Sequence, residues 1–449
     1  MFGKKILKSL VVSSLLLSSS AFAADKLTLD TMFTEVIKND PTLKERLHQF
    51  ESIANEVDMS KSGYLPTVDL SAKSGVKSKK DWKTGTAVKD NYDYQDISLK
   101  VVQNIFDGFG TTHATARDVA RAKAAYYKYL EVAQDKLKEA AGAYIDYVRE
   151  YNVYKITEEN IKIHKNIKEK IEDRFNKGYG TKSELERVRG RLSLAISNFV
   201  SSKSNYNDAK IKFEKALGRI VPIDELVEPT FKYELPATFD EALATANKNN
   251  PSIIVASYDF DVAKENIGFA QKDYYPTLDL ELEATRYNNI DGTDDAKRED
   301  LSAMLVFNYN LFRGGNDKAN ELKYKKLLNY EVDHQARLLS ELKQSLQLSW
   351  NAYTMLSEQI DHQKDYQKFT ENSKEAYFEE FQLGRRTLID LLDIQEEINN
   401  IRIQTINTKY DILNSKFRIL DATGDLYRSF VNNLNENVYS AEAREYIDQ

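Results

Sequence analysis

The sequence predicts a mainly α-helical chain with a smaller β part, written as two tandem structural repeats. Three observations predict it: a seven-residue phrase that occurs twice, two very long stretches without proline, and a change of hydrophobic period at each copy of the phrase. The phrase is Tyr64-Leu-Pro-Thr-Val-Asp-Leu70, and it returns as Tyr274-Tyr-Pro-Thr-Leu-Asp-Leu280. Upstream the copies keep an offset of 210 positions, so Leu29-Asp30 answers Phe239-Asp240 and Asn39-Asp40-Pro41 answers Asn249-Asn250-Pro251. Downstream the offset is 206: Ile105-Phe106-Asp107-Gly108 answers Leu311-Phe312-Arg313-Gly314, Phe175-Asn-Lys-Gly178 answers Phe381-Gln-Leu-Gly384, and Gly218 answers Gly424. A change of four residues between two fixed registers belongs in a loop, here the hairpin tips after Leu70 and Leu280. Two copies of about 200 residues are a tandem duplication, not a short-period array.

In chain order, residues 1–23 read as a secretory signal. Lys4, Lys5 and Lys8 precede a mostly apolar Leu10–Leu17, and Ala21-Phe22-Ala23 has the small-x-small form of a cleavage site. Removing the signal's three lysines leaves the formal net charge at −10 instead of −7. An acidic chain is a poor match for nucleic acid, because phosphate contacts need clustered Lys and Arg. With no cysteine there is no disulfide, thiolate metal site, Cys nucleophile or lipid-modified cysteine. No later stretch is apolar for long enough to be a transmembrane helix, whereas a β-barrel would leave no such run.

Repeat one is expected over 24–225 and repeat two over 226–430, with a polar tail at 431–449. Each begins with a shorter helix, Leu43–Ser62 or Ser252–Lys272. The phrase then switches period from 3.6 to 2: Val68, Leu70 and Ala72 alternate with Thr67, Asp69, Ser71 and Lys73, and Leu278, Leu280, Leu282 and Ala284 alternate with Thr277, Asp279, Glu281 and Glu283. Partner strands follow around Ile97–Val101 and Leu301–Tyr309, joined by polar loops near Lys79–Asp90 and Asp291–Asp300. The two hairpins span about 64–104 and 274–311. Strands of about ten residues suit a tilted membrane strand, and Tyr64, Trp82, Tyr92, Tyr94, Tyr274, Tyr275, Tyr287 and Tyr309 cluster near their ends as interfacial girdles do. Two soluble hairpins with one wet face would show the same alternation. If the strands do lie in lipid, four cannot close a barrel, so several chains must share one.

After each hairpin comes a proline-free stretch. Between His113 and Asn176, residues Val119, Tyr126, Ala133, Ala140, Tyr147, Tyr154, Ile161 and Phe175 keep a seven-residue row that only Lys168 breaks. Between Ala319 and Leu383, residues Leu339, Leu342, Leu346, Trp350, Tyr353, Leu356 and Ile360 keep 3-4 spacing. Periodicity sustained this long means coiled-coil packing, and such a rod is roughly 100 Å long. Each rod ends at a glycine turn near 177–181 or 383–387, and return helices are expected over Lys182–Leu217 and Leu388–Ala422. Catalytic signatures are missing: His48, His113, His164, His334 and His362 lack metal-ligand spacing and read as exposed helix positions, and Gly108-Phe-Gly110 lacks a third glycine. No enzyme and no cofactor is indicated.

In this order, the Asn-Asp-Pro41 and Asn-Asn-Pro251 helix starts, the two Tyr-x-Pro-Thr-x-Asp-Leu strand starts, Asn310-Leu-Phe-Arg-Gly-Gly315 and Phe381-Gln-Leu-Gly-Arg-Arg-Thr-Leu-Ile-Asp390 resemble the TolC family of outer-membrane channel-tunnels. The resemblance implies a homotrimer in outer-membrane lipid, with twelve strands in one shared β-barrel and the helical hairpins forming an α-barrel across the periplasm of a Gram-negative bacterium. It implies an equatorial belt, here Asn205–Ser252 plus the polar segment after Gly424. It implies a passive exit duct for type I protein secretion or drug efflux, opened when a periplasmic adaptor and an inner-membrane ABC or RND-type pump dock at the helical tips. By the same match the adaptor would meet Lys177, Gly178, Tyr179, Gly180, Thr181, Leu383, Gly384, Arg385 and Thr387. The gate's ionic links would fall to Arg386, Ser183 and Glu184, and luminal acidic rings to Asp390 and Asp393. Carboxylates gathered around one axis would have raised pKa values and attract cations. Phe381 departs from the family's pattern, removing one gate hydrogen bond, and Ser183 and Glu184 stand in for a threonine and an aspartate. Set against the duct is a periplasmic coiled-coil scaffold without a pore.

Overall fold

The computed structural model describes residues 26–83, 86–289 and 297–431. The expected signal at 1–23 lies outside them, as do 432–449 of the polar tail and the 291–296 part of the second loop.

Each repeat runs helix, helix, strand, strand, long helix, return helix. Repeat one holds α1 (Leu29–Asn39), α2 (Pro41–Lys61), β1 (Thr67–Lys83), β2 (Thr86–Phe106), α3 (Gly110–Asn176) and α4 (Lys182–Leu217). Repeat two holds α5 (Phe239–Asn249), α6 (Pro251–Gln271), β3 (Thr277–Asn288), β4 (Lys297–Asn308), α7 (Asn316–Gln382) and α8 (Leu388–Ala422), followed by a short α9 (Leu426–Val431). The rods α3 and α7 are 67 residues each, about 100 Å at the α-helical rise. Both return helices have the expected bounds.

Proline shapes the first joints. Pro41 and Pro251 sit at the first turn of α2 and α6, where the missing N–H costs nothing. Asp40 accepts from Thr42 and Leu43 N–H, and Asn250 accepts from Ser252 N–H. Helices α1 and α5 were not foreseen. They start on Thr28 and Thr238, whose side chains accept from the N–H groups of Thr31 and Glu241.

The four strands form one antiparallel sheet in chain order. Val68 pairs Val101, Leu70 pairs Leu99 and Leu280 pairs Leu305, so one face is apolar, and Val68, Leu70, Leu301, Leu305 and Phe307 stand exposed on it. The other face carries Asp69, Lys100 and Glu283 at one level. Strands β3 and β4 are 12 residues each, near the expectation, but β1 and β2 run to 17 and 21. The segment Lys79–Asp90 is therefore mostly strand and not loop, and 297–300 likewise belongs to β4. Beyond the Gln95–Asn288 pair, β1 and β2 continue as a two-stranded ribbon past the end of β3. Backbone pairing needs no apolar alternation once a ribbon leaves its sheet, which is why polarity misled there. Trp82 lies in a stretch whose side chains are outside the description.

The largest core sits midway along α3. Leu130, Leu137, Tyr144 and Tyr147 of α3 pack against Phe33, Phe213, Tyr410 and Phe417. Of the segment expected as a belt, 205–217 is the end of α4, 218–238 is largely irregular and packs here through Val221, Phe231 and Tyr233, and 239–252 is α5 and the start of α6. The segment after Gly424 is not a polar one. Leu426, Tyr427 and Phe430 of α9 are buried in this core. Nor is every histidine exposed. His164 is buried, its Nδ1–H donating to Asn160 O at 2.9 Å, and His113 Nδ1 lies 2.8 Å from Glu265.

Gly108 shows why the strand-to-helix corner needs glycine. Its φ is +70°, and a Cβ there would meet Lys272 O at 2.6 Å.

Candidate functional site

The far ends of the two rods are built alike. At the first tip Gly178 takes φ +81°, its N–H donates to Phe175 O at 3.0 Å, and Tyr179 N–H donates to Arg174 O at 2.9 Å. At the second tip Gly384 takes φ +74°, its N–H donates to Phe381 O at 3.0 Å, and Arg385 N–H donates to Glu380 O at 2.9 Å. Both are Schellman closures, in which a left-handed glycine satisfies the last free carbonyls.

Each return helix then starts with a reciprocal cap. Thr181 Oγ1 accepts from Glu184 N–H at 3.2 Å while Thr181 N–H donates to the Glu184 carboxylate at 3.0 Å. Thr387 Oγ1 accepts from Asp390 N–H at 3.3 Å while Thr387 N–H donates to the Asp390 carboxylate at 2.9 Å. Ser183 and Glu184 therefore serve their own turn, with Ser183 Oγ 3.1 Å from Thr181 Oγ1. Lys177 pairs with Asp173 at 2.6 Å. Gly180, Gly384, Arg385 and Thr387 complete the turns, with Tyr179 79% and Leu383 70% exposed at the apices.

Arg386 was expected, with Ser183 and Glu184, to carry the gate's ionic links. Within the chain it donates to Glu380 at 2.8 Å and lies 3.9 Å over the ring of Tyr377. That hydrogen bond, with the tyrosine and nearby acids, holds the guanidinium pKa above its ordinary value. Arg386 and Glu184 nonetheless line one cleft of about 420 Å³ between the tips. Phe381 packs with Ile171, Phe175, Leu185, Leu388 and Leu392 in a small tip core. It also lines a larger recess of about 830 Å³ with Ile163, Ile167, Phe378 and Leu391.

The two aspartates part company. Asp390 is spent on the cap, and the Thr387 N–H and hydroxyl hold its pKa below the ordinary carboxylate value, with smaller help from Arg386 and Arg187. Asp393 receives Arg191 at 2.6 Å and Arg187 at 3.5 Å, both from α4. Inside one chain the expected raised pKa is thus reversed for Asp390, because donors and cations surround it. Arg187 and Arg191 were missed by sequence reasoning. Their signal was an i, i+4 spacing on the return helix opposite Asp393.

The same architecture exists among solved structures. The outer-membrane channel CmeC of Campylobacter jejuni superposes with a TM-score of 0.77 at 18% identity, covering 89% of this chain and 86% of that one. The outer-membrane channel OprN does so at 0.78 and 15%, covering 89% and 90%. In sequence, the outer membrane efflux protein family model matches residues 33–219 and again 242–425, once in each repeat. The chain belongs to the outer membrane efflux protein family. Among its relatives are the outer membrane efflux protein BepC of Brucella suis biovar 1 (strain 1330), 22% identical over 94% of this chain and 91% of the relative. Another is the outer membrane protein TolC of Escherichia coli (strain K12), 23% identical over 94% and 87%. An efflux channel of the outer membrane needs a lipid-facing part. Among the described residues no helix is long and apolar enough to cross a membrane.

Proposed function

We propose that three copies of this chain close one twelve-stranded barrel in the outer membrane and one twelve-helix tunnel below it. The assembly is the passive exit duct of a tripartite export system for type I secretion or drug efflux. An inner-membrane ABC or RND-type pump and a periplasmic adaptor engage the turns at 177–181 and 383–387 and open the closed end. The observation that carries this reading is what one copy leaves uncovered. Strands β1 and β4 have open edges, which lipid does not tolerate. Leu194, Val200 and Ile211 on α4 and Leu348 and Phe369 on α7 stand exposed. A neighbouring copy that pairs β4 with β1 and packs α7 on α4 covers all of these at once. The exposed Tyr179 and Leu383 at the apices support a docking role for the turns. A scaffold without a pore has no use for the lipid-facing sheet.

The test is planar-bilayer recording of detergent-extracted protein whose mass in solution has been measured. The duct predicts trimers and discrete conductance steps. Trimers that give no steps would sink it.

A further inference from the structure

We propose that Arg187 and Asp393 alternate around the tip as one closed ring, each Arg187 binding Asp393 of its own chain and Asp393 of the next copy. This rests on the closed assembly proposed above and assigns its constriction a residue that the gate expectation omitted.

The argument uses the duplication as a ruler. Within the chain, α8 of repeat two lies beside α3 of repeat one, with Asn152 Nδ2 donating to Tyr410 Oη at 2.9 Å and Arg149 reaching Asp411 at 3.2 Å. In a closed ring of equivalent repeats, α4 of the next copy lies beside α7 in the same way. Contacts between repeats inside one chain are then replayed between chains.

The sheet offers a check on that ruler. Asn104 Nδ2 donates to Asp279 Oδ1 at 2.7 Å across β2 and β3. The 206 offset carries Asn104 onto Asn310, and the 210 offset carries Asp279 back onto Asp69. The same two residue types therefore flank the two open edges, Asn310 just past β4 and Asp69 on β1.

At the tip the 206 offset is fixed by the paired caps Thr181 and Thr387. It carries Arg187 onto Asp393 and Asp393 back onto Arg187. The 3.5 Å Arg187–Asp393 pair of one chain thus becomes Asp393 against Arg187 of the next copy. The same offset carries Arg191 onto Glu397, so the 2.6 Å Arg191–Asp393 pair becomes Glu397 against Arg187 of the next copy. Each Arg187 then has acids on both sides, and each Asp393 has arginines on both sides. This level of the tunnel is a belt of alternating charge and not an acidic ring. Any acidic character at the end falls to Asp390 and its positional twin Glu184.

The chain has no cysteine, so introduced thiols are unique. Arg187→Cys chains and Asp393→Cys chains, mixed in one assembly so that no chain carries both thiols, are expected to give covalent dimers on denaturing gels with a short bis-maleimide. Asp69→Cys/Asn310→Cys, oxidised to a disulfide, reports closure of the assembly independently. Strand-linked multimers with only monomers from the tip pair overturn the ring and leave the duct standing. Monomers from both overturn the closure as well. In bilayers, Arg187→Asp is expected to shift the reversal potential toward cations, and Arg187→Asp/Asp393→Arg to shift it back. A double variant that stays as cation-selective as the single one also overturns the ring.

Discussion

The two rods are equal in length and capped alike, yet they live in different surroundings. Along α3, Leu130, Leu137, Tyr144, Ile145 and Tyr147 are buried, with α2, α4, α6 and α8 all packed against the rod. Along α7, Leu346 is the one buried hydrophobic residue among those described, and its long-helix neighbours are α6 and α8. Duplication copied the element but not its environment. The chain supplies both flanks of the first rod and one flank of the second, so a surface that is core in repeat one stands largely exposed in repeat two.

Tyr144 and Trp350, related by the 206 offset, put the sharpest test to this difference. Tyr144 is fully buried, its hydroxyl 2.8 Å from Leu27 O and 2.6 Å from Val227 O while accepting from Val227 N–H at 3.0 Å. Burial pushes the phenol's pKa up to about 12, so it remains a donor at neutral pH. It clamps the Leu27–Leu226 bridge that ties the start of repeat one to the start of repeat two. Tyr144→Ala should cost about 3–5 kcal/mol, a large aromatic lost from a core, read as a lower unfolding midpoint by circular dichroism. Trp350 is only half-buried beside Phe239 and Tyr353, and Trp350→Ala should cost clearly less. Equal losses would break the comparison.

A smaller effect should appear only on assembly. Phe369 is 62% exposed on α7, where α3 carries Ile163. Phe369→Ser should leave the helical signal of the chain unchanged and weaken the oligomer by about 1.5–3 kcal/mol per copy, the value of burying one such side chain. Heating in detergent, followed by mass measurement, separates dissociation from unfolding. An oligomer that dissociates at the native temperature would mean that α7 faces solvent in the assembly.

None of this asymmetry was legible in the sequence, because both rods carry the same kind of apolar spacing and burial depends on what arrives later. Local signals fared better. The glycine turns and the strand starts are each fixed by a few adjacent residues, and the bounds of α4 and α8 follow from the turns. The β1–β2 ribbon was misread because Lys79–Asp90 is polar while its pairing is backbone-driven. Helix α9 was misread because its four apolar residues, Leu426, Tyr427, Phe430 and Val431, are followed at once by the polar-rich 432–437. At the tips the turns were legible but the partners within the chain were not: Arg386 found Glu380 and Tyr377 on its own rod, and Asp393 found Arg187 and Arg191 on another helix.

The smallest expected effect lies where the repeats remain alike. Thr181→Ala and Thr387→Ala each remove one cap, worth about 1 kcal/mol, and should speed hydrogen exchange over 182–185 and 388–391 by similar factors. Acid should act on the second tip in its own way. The folded pKa of Asp390 is depressed, so its contribution is complete above the unfolded value of about 4 and is lost as pH falls through the lower folded one. Exchange at 388–391 should therefore quicken below about pH 4, and Asp390→Asn should remove that pH step while leaving Thr387 in place. A step that survives in Asp390→Asn would assign it to another carboxylate. A first turn that exchanges fast at neutral pH in the native protein would mean that the cap is not what holds α8 at the tip.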